Sequence, residues 1–379
     1  MSETSPDTGR RLGSLRVGRL AGVPVFISYS WIIVAGFLAV LFAANIDSLV
    51  PGLGNQRWVG AITFVLLFYG SVFLHEAAHT LLAKALGFTV TGIVLHFFGG
   101  YSEMSDQDRS PWRSMAVAVA GPVASLAVAA VCWALPDFTG TSPLVQVIVL
   151  QLAISNLFVG LFNLLPGLPL DGGHIVESLI WGMTGKRHVG TRVAGWAGRV
   201  VAILVVVVPL MYAWYRGSPS DLFLVMWGFL LASTMWGGAS VALQAADLRK
   251  ALPGLKAGSL ARSAIGVPAD VPVSEVVNRA QEHHVHAVVT LDHDGRPVGI
   301  INEVALEAVP AERRPWVSAS SVSRTITEAM MVPADLTGED LLKHLSQTAT
   351  GEYLVMDRAS GVVVGVLSAR DVNSVLTGR

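Results

Sequence analysis

Apolar residues fall in long unbroken runs up to about residue 243 and in short alternating runs after it. Six of the early runs are near the ~20 residues that cross a bilayer as a helix. They are 23–44, 58–86, 112–135, 144–165, 195–215 and 222–243. Between the second and third lies a segment of another kind. Residues 88–103 are rich in β-branched and aromatic side chains and are broken by Gly92, Gly99 and Gly100. That pattern predicts a short hairpin or re-entrant strand pair, with an amphipathic cytoplasmic loop as the plainer alternative. Non-helical backbone at membrane depth survives only when buried in protein or lining a wet cavity. An exposed strand edge there can capture an extended peptide by strand addition.

After residue 243 the character changes. A charged, Gly-containing stretch, 244–263, reads as a linker, and an internal repeat follows. Val267-Pro-Ala-Asp270 recurs as Val332-Pro-Ala-Asp335, and Pro297-Val-Gly-Ile-Ile301 resembles Val363-Val-Gly-Val-Leu367. Each copy reads helix, strand, Gly turn, strand, helix, so the two should pair into one compact α/β module. The predicted plan is a tail at 1–22, a membrane domain at 23–243, the linker, and a module at 264–379. Its repeats span 264–310 and 322–377. The fold class expected is a polytopic α-helical membrane protein, about six transmembrane helices with a re-entrant β-hairpin, plus a cytosolic α/β repeat pair.

Composition agrees. Of 379 residues, 14% are charged, against roughly 25% in an average soluble protein. The N-terminal residues are polar, and the first apolar run is too long for a signal-peptide core, so no cleavable signal is expected. A net charge of −1 gives no bulk argument for a nucleic-acid partner. The lone cysteine, Cys132, excludes an intrachain disulfide. Orientation follows from the basic residues. Arg10, Arg11, Arg16 and Arg19 precede the first run; Lys84, Arg109 and Arg113 flank the second connection on that side. Lys186, Arg187, Arg192 and Arg199 flank the next, and Arg249, Lys250, Lys256 and Arg262 follow the last run. The other side carries only Arg57 and Arg216. Positive-inside bias then places both termini in the cytoplasm, in a multi-pass protein of the cell membrane.

The chemistry lies in the second run, which contains His75-Glu76-Ala-Ala-His79. Two histidines four residues apart share one helix face, where they can hold one Zn²⁺. Glu76 is then placed as general base. Ionisable groups inside an apolar span are costly and mark function, whereas a chance match satisfied inside a bundle is the bland alternative. Gly121-Pro122-Val-Ala-Ser125 in the third run reads as a close-packing stretch. The fourth run ends in Asn163-Leu-Leu-Pro-Gly-Leu-Pro-Leu-Asp171-Gly-Gly173. The break there can turn Asp171 inward as a third ligand, or leave it as a helix N-cap. Asn163 can donate to a developing oxyanion. His174 reads as a helix-start residue.

In that order, His75-Glu-Ala-Ala-His79, Gly99-Gly100, Gly121-Pro122 and Asn163…Pro169-Leu-Asp171-Gly172 resemble the site-2 protease family of intramembrane zinc metalloproteases. The paired repeat resembles a tandem of CBS domains. The resemblance implies one zinc per chain on His75, His79 and Asp171, with Glu76 as base and Asn163 as oxyanion partner. It implies cleavage of single-pass membrane proteins in or near the bilayer, anti-sigma factors among the candidates, under control of the CBS module. CBS modules that hold adenine nucleotides carry Ser/Thr-x-x-Asp after the last strand. The second copy has it as Ser368-Ala-Arg-Asp371, which makes Asp371 the candidate nucleotide ligand. The first has Asn302-Glu-Val-Ala305 and lacks the Asp, so at most one nucleotide site is expected. A homodimer through the module and contact with membrane lipid complete the expected partners. Two rivals stand beside this reading: a CBS-regulated transporter or channel with a polar ion site, and a catalytically dead scaffold. The first of these does not explain a glutamate set between the two histidines.

Overall fold

The computed structural model describes residues 14–96, 99–104, 110–135, 142–216, 221–285, 287–348, 350–358 and 360–377. The tail residues 1–13 and the hairpin tip Phe97-Phe98 lie outside the described residues. The chain divides into two compact units, 1–246 and 247–379.

The first unit holds six helices long and apolar enough to cross a membrane. They are α1 (Tyr29–Leu49), α2 (Gln56–Ala85), α3 (Pro111–Ala134), α4 (Pro143–Asn163), α6 (Arg187–Arg216) and α7 (Asp221–Ala251). The shorter α5 (Asp171–Thr184) follows the Pro/Gly break. Large apolar side chains of these helices, such as Leu66, Met211 and Phe229, are exposed. That suits lipid, which has no need for a polar exterior.

Two expectations need correction at the start of the chain. The first apolar run does not begin as a helix. Val23–Ser28 is strand β2, and the helix begins at Tyr29. Residues Ser14–Leu20, placed in the tail, form β1. The expected strand pair, β3 (Val90–His96) and β4 (Gly99–Met104), is present but belongs to a larger sheet. The order is β1-β2-β3-β4, with β2 and β3 parallel and the outer pairs antiparallel. Two residues, Ala21 and Gly22, join β1 to β2, both with positive φ. That is the backbone of a two-residue hairpin whose twist matches its strands. Val23, Val25, Ile93 and Leu95 are buried beneath the sheet, with Phe73 of α2 packed against them. The sheet is thereby fixed to the helix turn that precedes His75.

In the second unit the repeat is structural as well as textual. Repeat one runs β5 (Ala264–Pro268), α9 (Val273–Glu282), β6 (Ala287–Leu291), β7 (Pro297–Ile301), α10 (Glu303–Glu307). Repeat two runs β9 (Met331–Pro333), α11 (Gly338–Ser346), β10 (Glu352–Met356), β11 (Val363–Ser368), α12 (Ala369–Thr377). In both, the first two strands are parallel and the next pair antiparallel. An extra strand, β8 (Ser323–Thr325), edges the first sheet. Val289 and Ile300 of one repeat share a core with Leu354 and Val366 of the other.

The presumed linker is also part of this unit. Short helix α8 (Ala257–Leu260) and Leu255 before it lie in the core of repeat two, with Leu255 and Ala257 fully buried beside Leu341 and Tyr353. Arg262 then pairs through its backbone with Val366 of β11, N–H to O=C in both directions. The segment ahead of repeat one therefore completes repeat two.

Candidate metal centre

On α2, His75 and His79 are one helix turn apart and both are buried. Their outer ring nitrogens are held from behind by α3. His79 Nδ1 lies 2.7 Å from the carbonyl of Val117. A carbonyl only accepts, so Nδ1 carries the proton. In the neutral ring Nε2 is then left as a lone pair. His75 Nδ1 lies 2.9 Å from Ser125 Oγ. Both Nε2 atoms point to one spot.

Asp171 reaches the same spot as the first residue of α5. The loop that carries it is wedged by close backbone approaches. A Cβ on Gly172 would lie 2.3 Å from the Leu165 carbonyl oxygen, and one on Gly198 of α6 would lie 2.0 Å from that of Leu168. Leu168 N–H donates to the Ala194 carbonyl at 3.0 Å. These contacts leave no room for side chains and set the position of Asp171. Its Oδ2 is 3.1 Å from His75 Nε2, its Oδ1 is 3.3 Å from His79 Nε2, and the two Nε2 atoms are 3.2 Å apart.

Three donor atoms at mutual distances of 3.1–3.3 Å fit a cation between them. Tetrahedral ligands at 2.0–2.1 Å from zinc are separated by about 3.3 Å, so the triangle matches one face of such a site. Two imidazoles and one carboxylate form a catalytic ligand set that leaves a fourth position open. This is the one metal-type cluster of three found among the described residues.

Glu76 and Asn163 border the same cavity, of about 600 Å³, together with His75 and Asp171. Glu76 is buried, while Asn163 ends α4 and is partly exposed. Trp31, Phe68, Phe162 and Met235 supply apolar wall.

Sequence reasoning assigned Gly121 and Ser125 to packing. Here they touch the site. Ser125 backs His75, and Gly121 faces both rings, so closely that a Cβ there would meet their Nε2 atoms. Their spacing of four on α3 was the available signal. Asp371, in contrast, belongs to the second unit. Its two oxygens receive Nε and Nη2 of Arg262 at 2.7 and 2.6 Å. In repeat one, Asn302 caps α10 by accepting from Ala305 N–H at 3.0 Å.

The model of peptidase family M50 matches residues 63–144 and 139–208, and the CBS domain model matches 257–306. A Synechocystis protein named "Putative zinc metalloprotease sll0528" is 28% identical over 95% of this chain and 94% of its own length. The "Putative zinc metalloprotease Rip3" of Mycobacterium tuberculosis is 26% identical over 95% of this chain and 92% of its own. The solved site-2 protease of Methanocaldococcus jannaschii superposes with a TM-score of 0.42 at 22% identity, covering 61% of this chain and 95% of that one. The chain is thus similar to peptidase family M50 over residues 63–208, to proteins named putative zinc metalloproteases along nearly its whole length, and to the CBS domain after its membrane helices.

Proposed function

We propose that this protein hydrolyses peptide bonds in or near the transmembrane segments of single-pass membrane proteins. His75, His79 and Asp171 would hold the zinc. The observation that carries this reading is the convergence of three donor atoms at 3.1–3.3 Å around one point beside an apolar cavity. When bound, zinc supplies Lewis-acid polarisation of the scissile carbonyl and an activated water near neutral pH. The chain's own residues do the rest. Glu76 takes the water proton as the oxygen–carbon bond forms, then delivers it to the nitrogen as the carbon–nitrogen bond breaks. Asn163 donates its amide N–H to the developing oxyanion. The Val117 carbonyl keeps the His79 imidazole in one tautomer, and Ser125 helps to hold the orientation of the His75 ring.

A transmembrane helix conceals its carbonyls in i→i−4 hydrogen bonds, so the substrate must unwind before it is cut. Among the described residues, strand β4 is an edge of the four-stranded sheet. Its outer side is suited to hold the unwound segment as an added strand. Basic residues at the ends of α6 and α7, including Arg187, Arg249 and Lys250, support cytoplasmic termini. The second unit then lies in the cytoplasm, where a ligand or a dimer contact can alter substrate access by population shift. Anti-sigma factors are one substrate class of the required topology.

The test is metal analysis of the purified protein together with cleavage of a reporter transmembrane segment, compared with Glu76→Gln. The expected result is about one zinc per chain in both proteins and cleavage only in the parent. Substantial cleavage by Glu76→Gln would remove the assigned base.

A further inference from the structure

A charged side chain that the hydrolytic site does not use sits in the membrane domain, at the seam of α6 and α7. Arg199 has its guanidinium carbon 4.8 Å from the centre of the Trp196 ring and 4.9 Å from that of Trp236. Its Nη2 donates to Ser240 Oγ at 3.2 Å. Its Nε is enclosed without a hydrogen-bond partner, and no carboxylate pairs with it among the described residues. A guanidinium carries five N–H donors in one plane. The two rings hold its carbon in place and Ser240 uses one donor, so most of its hydrogen-bonding capacity is unspent.

The setting selects the ligand. Both tryptophans are about half exposed, 56% for Trp196 and 43% for Trp236. Tryptophan gathers at the headgroup level of a bilayer. A permanent cation within a span is costly unless an anion or backbone carbonyl answers it. The anion available at that surface is the phosphate of a lipid, whose oxygens match the planar fork of arginine. We infer that Arg199, Trp196, Trp236 and Ser240 form a binding site for the phosphate of an anionic phospholipid.

The site has a route to the proteolytic centre. Gly198, beside Arg199, packs against the Leu168 carbonyl, and a Cβ on Gly238, two residues before Ser240, would lie 2.6 Å from Pro169. A headgroup bridging α6 and α7 at this level ties together the two helices that grip the Asp171 loop. The inference requires only that these helices lie in a bilayer and is independent of the proposed hydrolysis.

The experiment uses the full chain in bilayer discs of phosphatidylcholine alone, or with a quarter phosphatidylglycerol. Thermal unfolding and native mass spectrometry of retained lipid are the readouts. The parent should unfold at higher temperature with phosphatidylglycerol and retain one molecule of it per chain. Arg199→Gln should weaken both effects, with phosphatidylglycerol affinity about fivefold lower, the worth of one basic residue at an anionic surface. Trp236→Leu, which keeps the charge, should weaken retention and covers the case in which Arg199→Gln fails to fold. Inorganic phosphate should reproduce neither effect. Equal retention of phosphatidylglycerol by parent and both variants would overturn the inference. So would a phosphatidylcholine retention equal to that of phosphatidylglycerol, or an equal stabilisation by free phosphate.

Discussion

Gly121 of α3 faces His79 of α2 at a distance that admits no side chain: a Cβ at position 121 would stand 2.2 Å from His79 Nε2 and 2.6 Å from His75 Nε2. The metal pocket is thus bounded on one side by the absence of an atom. Gly121→Ala is expected to push the rings off the Asp171 oxygens. Displacements near 1 Å cost about 10²-fold in rate. Zinc content well below one per chain and reporter cleavage reduced at least that far are the outcomes expected. An alanine variant with full zinc and full activity would refute this geometry.

Ser125 backs His75 through a 2.9 Å contact at Nδ1. Partners of metal-ligating histidines typically contribute 10–100-fold in metal affinity when removed. Ser125→Ala should weaken zinc by about that factor, read by competition with a chelator, while Ser125→Thr retains the hydroxyl and much of the affinity. No change on deletion of the hydroxyl would show that the serine serves packing alone.

Much of this centre was legible because its parts are local. His75 and His79 are spaced by one helix turn, and the Pro/Gly cluster before Asp171 announces a break. The rest depended on what lies opposite. Nothing in the text of α3 says that Gly121 faces a histidine, since a small residue in a span reads the same against lipid, helix or ligand. Val23–Ser28 was absorbed into the first span because a short apolar run has no period that separates strand from helix. The Ala21-Gly22 turn was the missed cue. Leu255 and Ala257 looked like linker because their core partners, such as Leu341 and Tyr353, lie far along the chain.

Asp371, the candidate ribose ligand, is already engaged by both donors of Arg262. That pairing also raises the pKa of Arg262, chiefly through the hydrogen bond to Asp371. Adenine nucleotide must displace Arg262 before it can use the carboxylate. Calorimetry with AMP, ADP and ATP should therefore give at most weak, single-site binding to the parent and tighter binding to Arg262→Ala. Asp371→Ala should bind nothing. Tight binding to the parent that Asp371→Ala leaves intact would place the nucleotide elsewhere.

Glu352 opens β10 of the second unit, and burial, followed by the nearby charge of Glu303, raises its carboxyl pKa. A carboxyl whose folded pKa lies above its unfolded one binds its proton more tightly in the folded state. Its contribution is complete below the unfolded value of about 4.3 and is lost as pH rises through the folded value. Glu352→Gln keeps the shape without the titration. The variant should match the parent at low pH and become the more stable of the two as pH climbs past the ordinary carboxylate range. Thermal unfolding of residues 247–379 across that range would reveal it. A parent that gains on the variant with rising pH would reverse the sign.

On the proposed ligand set, the two imidazoles come from α2 and the carboxylate from the first residue of α5, after the loop that follows α4. A ribosome that has released only the first three membrane helices has made two of the three ligands. Competence for hydrolysis therefore arrives late in biosynthesis, when α5 has docked on α6 and the Leu168–Asp171 loop is gripped. On that ligand set, a three-ligand site exists only in chains whose Asp171 loop has been placed against α6.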